Sequence, residues 1–309
     1  METEVWRERF RDWLTVRYAS PDTVRNYLAG LVPFFEFIQG LGLASWTQAT
    51  RDVIEEYRGR LFYRKHSKTG KALSVGTHVA RLMAVKIFFR FLVREGFLMA
   101  NPTAQLELPR RKTPLPEVLS EFEVVRLLEF PDTMTLSGIR DRALLELLYG
   151  TALRNSEVCS LTLDQVDLER HQVRLQKGKG NKGRVVPLGE ESQAWLERYL
   201  DQVRPQWLRS PGLTAVFLDR WGHKALSSNG LAQIVRGLAR AAQLGKAVSP
   251  HVLRHSCATH MLKRGASLRH IQQLLGHSSL TSTEHYTRVE ISDLRRVLTR
   301  CHPRERKNS

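Results

Sequence analysis

Apolar residues recur every three or four positions through the first hundred residues, the spacing of helices that each bury one stripe. Val5, Trp6, Phe10, Trp13 and Leu14 form the first stripe. Ser20-Pro21-Asp22 supplies a cap and a first-turn proline for a second helix bearing Val24, Tyr27, Leu28, Leu31 and Phe34. Thr47-Gln48 opens a predicted third helix running through Val53, Tyr57 and Leu61. Ser74 precedes a fourth that carries Val79, Leu82, Ile87, Phe88, Phe91 and Leu92. Asn101-Pro102 stops it, because the residue before a proline is driven out of the α region.

The pattern then changes. Pro109 to Pro116 holds three prolines and three cations and reads as an extended, semi-rigid linker suited to a phosphate backbone. Ser120 with Glu123 makes a capping box that opens a second domain. A strongly apolar helix is predicted from Ile139 to Tyr149. Short strands follow at Leu163–Leu168, Gln172–Leu175 and Val185–Leu188, the last two joined by the basic, glycine-rich turn Lys177 to Arg184. Helices are expected around 190–202, 228–242, 250–264 and 267–275. There is no internal repeat. The expected class is mainly α with a small antiparallel sheet: a helical domain at 1–100, a linker at 101–116 and an α+β domain at 117–309.

Two domains suit 309 residues at about 100–200 per domain, and 42% hydrophobic residues are enough for two cores. Forty-eight Lys and Arg against 31 Asp and Glu leave a formal charge of +17, which points to a polyanionic partner such as nucleic acid. No run approaches the length of a membrane span, and the acidic start Met1-Glu2-Thr3-Glu4 is unlike a signal peptide. Cys159, Cys257 and Cys301 are too few for a disulfide framework and lack CxxC spacing, so a reducing cytoplasm is expected. Arg64, Lys65, Lys68 and Lys71 gather at one inter-helix turn, as a solvated loop or a phosphate contact.

Candidate chemistry lies in the second half. His251 and His255 are four apart on a predicted helix, a spacing that can chelate zinc. No His-Glu-x-x-His is present, however, and Arg254 sets a permanent cation beside the pair. Cys257 reads as a small buried apolar residue. Arg154 follows a buried helix in Gly150-Thr-Ala-Leu-Arg154-Asn-Ser-Glu157. Lys179 sits on the basic turn, where Lys177 and Lys182 compete for its role. His277 follows Leu275-Gly276, and Tyr286 lies nine positions further on. Glu157 and Asp141 read as helix caps or arginine partners. Together these are the parts for cutting a phosphodiester without metal or cofactor: a phenolic oxygen to attack phosphorus, arginine forks for the non-bridging oxygens and a cation to protonate the departing oxygen.

The ordered set His251-x-x-Arg254, Leu-Gly-His277 and Tyr286 resembles the tyrosine recombinase (phage integrase) family, especially its Xer-type members, over nearly the whole chain. The resemblance implies a SAM-like core-binding domain followed by a recombinase catalytic domain, closing around double-stranded DNA. It also implies Tyr286 as nucleophile, with Arg154, Lys179, His251, Arg254 and His277 assisting. Assembly would be a ring of four like or mixed protomers on two duplexes, acting at the nucleoid. A type IB topoisomerase-like enzyme and an inactive DNA-binding accessory protein are the alternatives. One departure stands out: where the family has Thr-Gly-Leu-Arg and then an apolar residue, this chain has Ala152 and Asn155. Because alanine disfavours positive φ, an altered backbone is expected before Arg154. Near the end, Ile291, Leu294, Val297 and Leu298 form a stripe that would pack on its own domain or dock on a neighbour.

Overall fold

The structure, a computed structural model, describes residues 2–18, 21–43, 45–65, 70, 72–109, 117–175, 183–276 and 288–305. The chain divides into two compact units, Met1–Pro114 and Leu115–Ser309.

The first unit is helical: α1 (Glu2–Tyr18), α2 (Pro21–Gly40), α3 (Arg51–Tyr63) and α4 (Val75–Arg94). The third helix does not open at Thr47-Gln48 as its sequence suggests. Ser45 and Gln48 close a capping box around a single 3₁₀ turn, Trp46–Gln48, and the helix starts afresh behind Thr50. Two competent caps five residues apart divide the segment between them. The core is aromatic. Phe88 is 1% exposed and its ring meets Phe10, Phe35, Trp46, Phe89 and Phe91. Helices α2 and α4 approach closely at Gly30, where a Cβ would lie 2.9 Å from that of Ala84. Of the basic turn, Arg64 pairs with Glu36 at 2.7 Å and Lys65 bridges to Ala72, while Lys68 and Lys71 lie outside the described residues.

In the second unit the Ser120–Glu123 capping box starts α5 (Glu121–Glu129). Thr135 then caps α6 (Leu136–Thr151), which is buried on nearly every side from Gly138 onward. After α7 (Asn155–Cys159) comes an antiparallel sheet in the order β1 (Val166–Asp167), β2 (Gln172–Leu175), β3 (Arg184–Pro187). Its register sets Val173 opposite both Val166 and Val186, and Leu175 opposite Arg184. The first strand is shorter than expected because Leu163–Gln165 winds into a 3₁₀ turn. Helices α8 (Glu190–Arg198), α9 (Arg204–Trp207), α10 (Ser228–Ala241), α11 (Pro250–Lys263), α12 (Leu268–Leu275) and α13 (Arg288–Cys301) complete it. Leu294 and Leu298 are buried and Val297 packs on the core of this unit, so these three side chains lie on their own unit, while that of Ile291 lies outside the described residues. Among the described residues no helix is long and apolar enough to cross a membrane.

Polar groups buried around α6 are paired. Tyr149 donates its hydroxyl proton to His260 Nδ1 at 2.9 Å, and His260 Nε2–H donates to the Leu119 carbonyl at 2.8 Å. Glu146, fully buried, accepts from Arg142 and from Arg304 beyond α13. His302 is also fully buried; its Nε2–H donates to the Tyr149 carbonyl at 3.3 Å and its Nδ1 accepts from the Arg304 amide at 3.2 Å. Only the neutral ring satisfies both partners. Burial above all, with Arg304 and Arg264 adding to it, pushes His302 down to about 4 from an ordinary 6.5, against the pull of its Tyr149 bond.

This has a consequence for pH. Between 6.5 and about 4 the unfolded chain takes up a proton that the native ring refuses. Stability present above 6.5 is therefore lost as pH falls through that window, by on the order of 3 kcal/mol from His302. Chemical denaturation of the native chain and of His302→Gln across pH 4–7 should show a shallower slope in the variant; equal slopes would contradict the assignment.

Candidate active site

The site is built where two chain turns meet. Helix α6 ends on Ala152, which takes the left-handed conformation (φ 51°, ψ 30°) and turns the chain so that Arg154 sits just ahead of α7. The expected distortion is not found: alanine adopts the left-handed turn that glycine would favour. Helix α12 ends in the same way on Gly276 (φ 62°). Arg254, on α11, spans the two turns. Its Nη1 donates to the Ala152 carbonyl at 2.5 Å and its Nη2 to the Leu275 carbonyl at 2.7 Å. Arg154 Nη2 donates to the Gly276 carbonyl at 2.9 Å. Two arginines a hundred residues apart in sequence thus grip adjacent carbonyls of one turn.

Glu157 ties Arg154 to a third arginine, Arg184. Its Oε2 accepts from the Arg154 amide at 2.7 Å, making the cap of α7, and its Oε1 accepts from Arg154 Nη1 at 2.8 Å. The same two oxygens accept a fork from Arg184 at the start of β3, Nη1 at 2.7 Å and Nη2 at 2.8 Å. Burial would raise the Glu157 carboxyl, but the bonds from Arg184 and from the Arg154 amide outweigh it and hold it at about 2. Burial lowers Arg254 to about 10, with help from the neighbouring charges of Arg154 and Arg184, so it remains a cation at neutral pH. Three guanidiniums around one carboxylate leave two positive charges uncompensated. Arg154 and Arg254 each use two of five donors on these partners, so each keeps donors for an anion.

Of the residues singled out in the sequence, Arg154 and Arg254 are brought together. His251 is exposed on the first turn of α11, three residues before Arg254 and on the same side of the helix. Lys179, with its competitors Lys177 and Lys182, and His277 and Tyr286 all lie outside the described residues. Glu157, read as a cap or an arginine partner, is both. Asp141 pairs with Arg140 at 2.5 Å. Arg184 was missed, yet alternation along β3 puts it on the same face as buried Val186, and a charge pointing inward requires a partner. His255 is exposed, Cys257 is buried, and the described residues contain no group of three or more His, Cys, Asp or Glu that could hold a metal ion.

Residues 117–292 match the model of the phage integrase family, and residues 8–96 match that of the phage integrase N-terminal SAM-like domain. Tyrosine recombinase XerD of Staphylococcus epidermidis is 37% identical over 285 residues, covering 92% of this chain and 94% of that one. Tyrosine recombinase XerC of Myxococcus xanthus is 39% identical over 301 residues, covering 96% and 97%. A lambda integrase dimer bound to a COC′ core site shares the fold, with a TM-score of 0.66 at 18% identity over 92% of this chain and 99% of that one.

Gly276 is constrained twice. A Cβ there would lie 2.7–2.9 Å from three atoms of the Arg184 guanidinium group, on a backbone that L-residues disfavour. Gly276→Ala should cost about 1–2 kcal/mol in denaturant titration. Full stability in that variant would mean that Arg184 does not rest on this turn.

Proposed function

The chain belongs to the phage integrase family, and on that premise we propose that it is a site-specific DNA recombinase working through a covalent 3′-phosphotyrosine. The observation that carries the reading is the paired grip of Arg154 and Arg254 on the 275–276 turn, directly before the segment that bears His277 and Tyr286. Relatives at 37–39% identity over nearly their full lengths are tyrosine recombinases, which favours strand exchange over relaxation or bare DNA binding.

In this reading the Tyr286 oxygen attacks the scissile phosphorus and the bond to the 5′ oxygen breaks. One strand end is left on the protein as a 3′-phosphotyrosine and the other as a free 5′ hydroxyl. A phenol with an ordinary pKa near 10 needs help at neutral pH, which the guanidiniums give electrostatically and His251 gives by accepting the proton. Arg154 and Arg254 offer forks to the non-bridging oxygens, where negative charge grows as phosphorus becomes five-coordinate. Lys179 protonates the departing 5′ oxygen and His277 donates a hydrogen bond to the phosphate. The phosphotyrosine keeps the energy of the broken bond, so a 5′ hydroxyl of the partner duplex displaces it without ATP or metal.

The helical domain at 1–100 and the catalytic domain at 117–309, joined by the basic linker at 101–116, would hold duplex DNA mostly through phosphate contacts. The +17 charge supports this. Four protomers on two duplexes, as in the lambda integrase tetramer bound to a Holliday junction, are the expected working assembly, at the nucleoid in the cytoplasm.

The deciding experiment recovers covalent protein–DNA adducts from cells of the source organism and sequences the attached ends. The native chain should accumulate at a defined site, in EDTA as well as without it, and Tyr286→Phe should yield no adduct while still binding DNA. Scattered ends would favour a topoisomerase-like enzyme, and undiminished adduct from Tyr286→Phe would remove the nucleophile.

A further inference from the structure

Arg184 belongs to none of the roles above, yet it is as buried as Arg254, with its side chain 5% exposed. It grips both oxygens of Glu157 with near-ideal geometry, at 2.7 and 2.8 Å. Its Nε–H is buried with no acceptor among the described residues. A position selected only for packing would favour an apolar side chain, since a buried guanidinium with an unmet donor is costly. Arg184 also spends both of its Nη groups on Glu157, whereas Arg154 divides its own between Glu157 and the Gly276 carbonyl and has a side chain 33% exposed.

We propose that Arg184 is a positioning residue for the strand-transfer site: its two-point grip on Glu157 neutralises that carboxylate, leaving the charge of Arg154 free for the scissile phosphate. This rests on the recombinase reading. Glu157 is needed where it stands because it caps α7 and fixes the Arg154 backbone. Left with Arg154 alone, however, the same carboxylate would cancel the cation it positions. Arg184 separates the two tasks. With it, three cations and one anion leave a surplus of two positive charges. A five-coordinate phosphorus bearing two negative charges matches that surplus better than the singly charged diester does, so the arrangement favours the transition state over the bound substrate. A lysine would supply the charge but not the fork.

The test separates charge from packing. A nicked duplex carrying the site mapped from the cellular adducts is mixed with the native chain, Arg184→Met, and the double variant Glu157→Gln/Arg184→Met. Adduct formation is timed, duplex binding is measured by gel shift, and melting reports the fold. Arg184→Met leaves one surplus charge, and its adduct rate should fall about 10- to 100-fold with binding nearly unchanged. The double variant has two surplus charges again and should regain most of that rate, which no packing role would produce. A native rate from Arg184→Met, or a double variant no faster than the single one, overturns the proposal. Where Arg184→Met melts too low to assay, Arg184→Gln takes its place: it keeps a donor for Glu157 without the charge, so it too leaves one surplus charge and should be slowed about 10- to 100-fold, and a native rate from it overturns the proposal. No adduct from the native chain itself overturns the recombinase reading and this proposal with it.

Discussion

One carboxylate makes the cation cluster possible. Like charges a few ångströms apart repel by several kcal/mol at the effective dielectric of a protein surface, and Arg154, Arg184 and Arg254 crowd one half-buried corner. Glu157 accepts four hydrogen bonds there, two of them through the fork of Arg184, and the turn carbonyls of Ala152, Leu275 and Gly276 take the donors that face inward. What is not offset is the useful part: a fixed positive field that needs no reorganisation when an anion arrives.

The rest of the catalytic unit keeps these groups in register. Helix α6 delivers the Ala152 turn, and nearly all of it is buried, so it does not shift without moving the core. Its polar residues are bound to distant segments: Tyr149 to α11 through His260, and Glu146 to Arg304 beyond α13. Helix α11 carries Arg254. The tail residues His302 and Arg304 therefore brace the helix that ends at the first arginine, and the tyrosine hydroxyl pins that helix to the one bearing the second. Residues far from the arginine cluster decide whether two guanidiniums stand side by side.

Helices with a cap and a stripe were legible from the sequence, as at Ser74 and at the Ser120–Glu123 box. Where two caps compete, as Ser45 and Thr50 do, periodicity alone cannot choose between them. The strand expected from Leu163 failed because a three-residue 3₁₀ turn occupies half of it, a matter of backbone hydrogen bonds that alternation does not encode. Arg154 and Arg254 were readable from their motifs, whereas Arg184 was not. Its importance comes from a carboxylate 27 residues away, and only the pairing of β2 with β3 and the proximity of α7 reveal it. Motif spacing picks out Arg154 and Arg254. It is silent about a partner that only the folded chain brings to the same carboxylate.

Ala152 shows how strain is retained at such a place. Left-handed backbone costs an alanine roughly 1–2 kcal/mol, and a glycine would escape that. Against it stand a fully buried methyl group, whose removal would leave a gap in the core, and a carbonyl that accepts a charge-assisted bond from Arg254 at 2.5 Å. A hydrogen bond to a charged group is worth about 1.5–3 kcal/mol and offsets the strain; the buried methyl, worth about 0.8 kcal/mol, is the part that a glycine would lose. The same bond serves in both directions: it holds the turn in its unfavoured conformation and fixes Arg254 at one end. Glycine at position 152 would remove the strain but widen the conformational choice of the turn on which the arginine geometry depends.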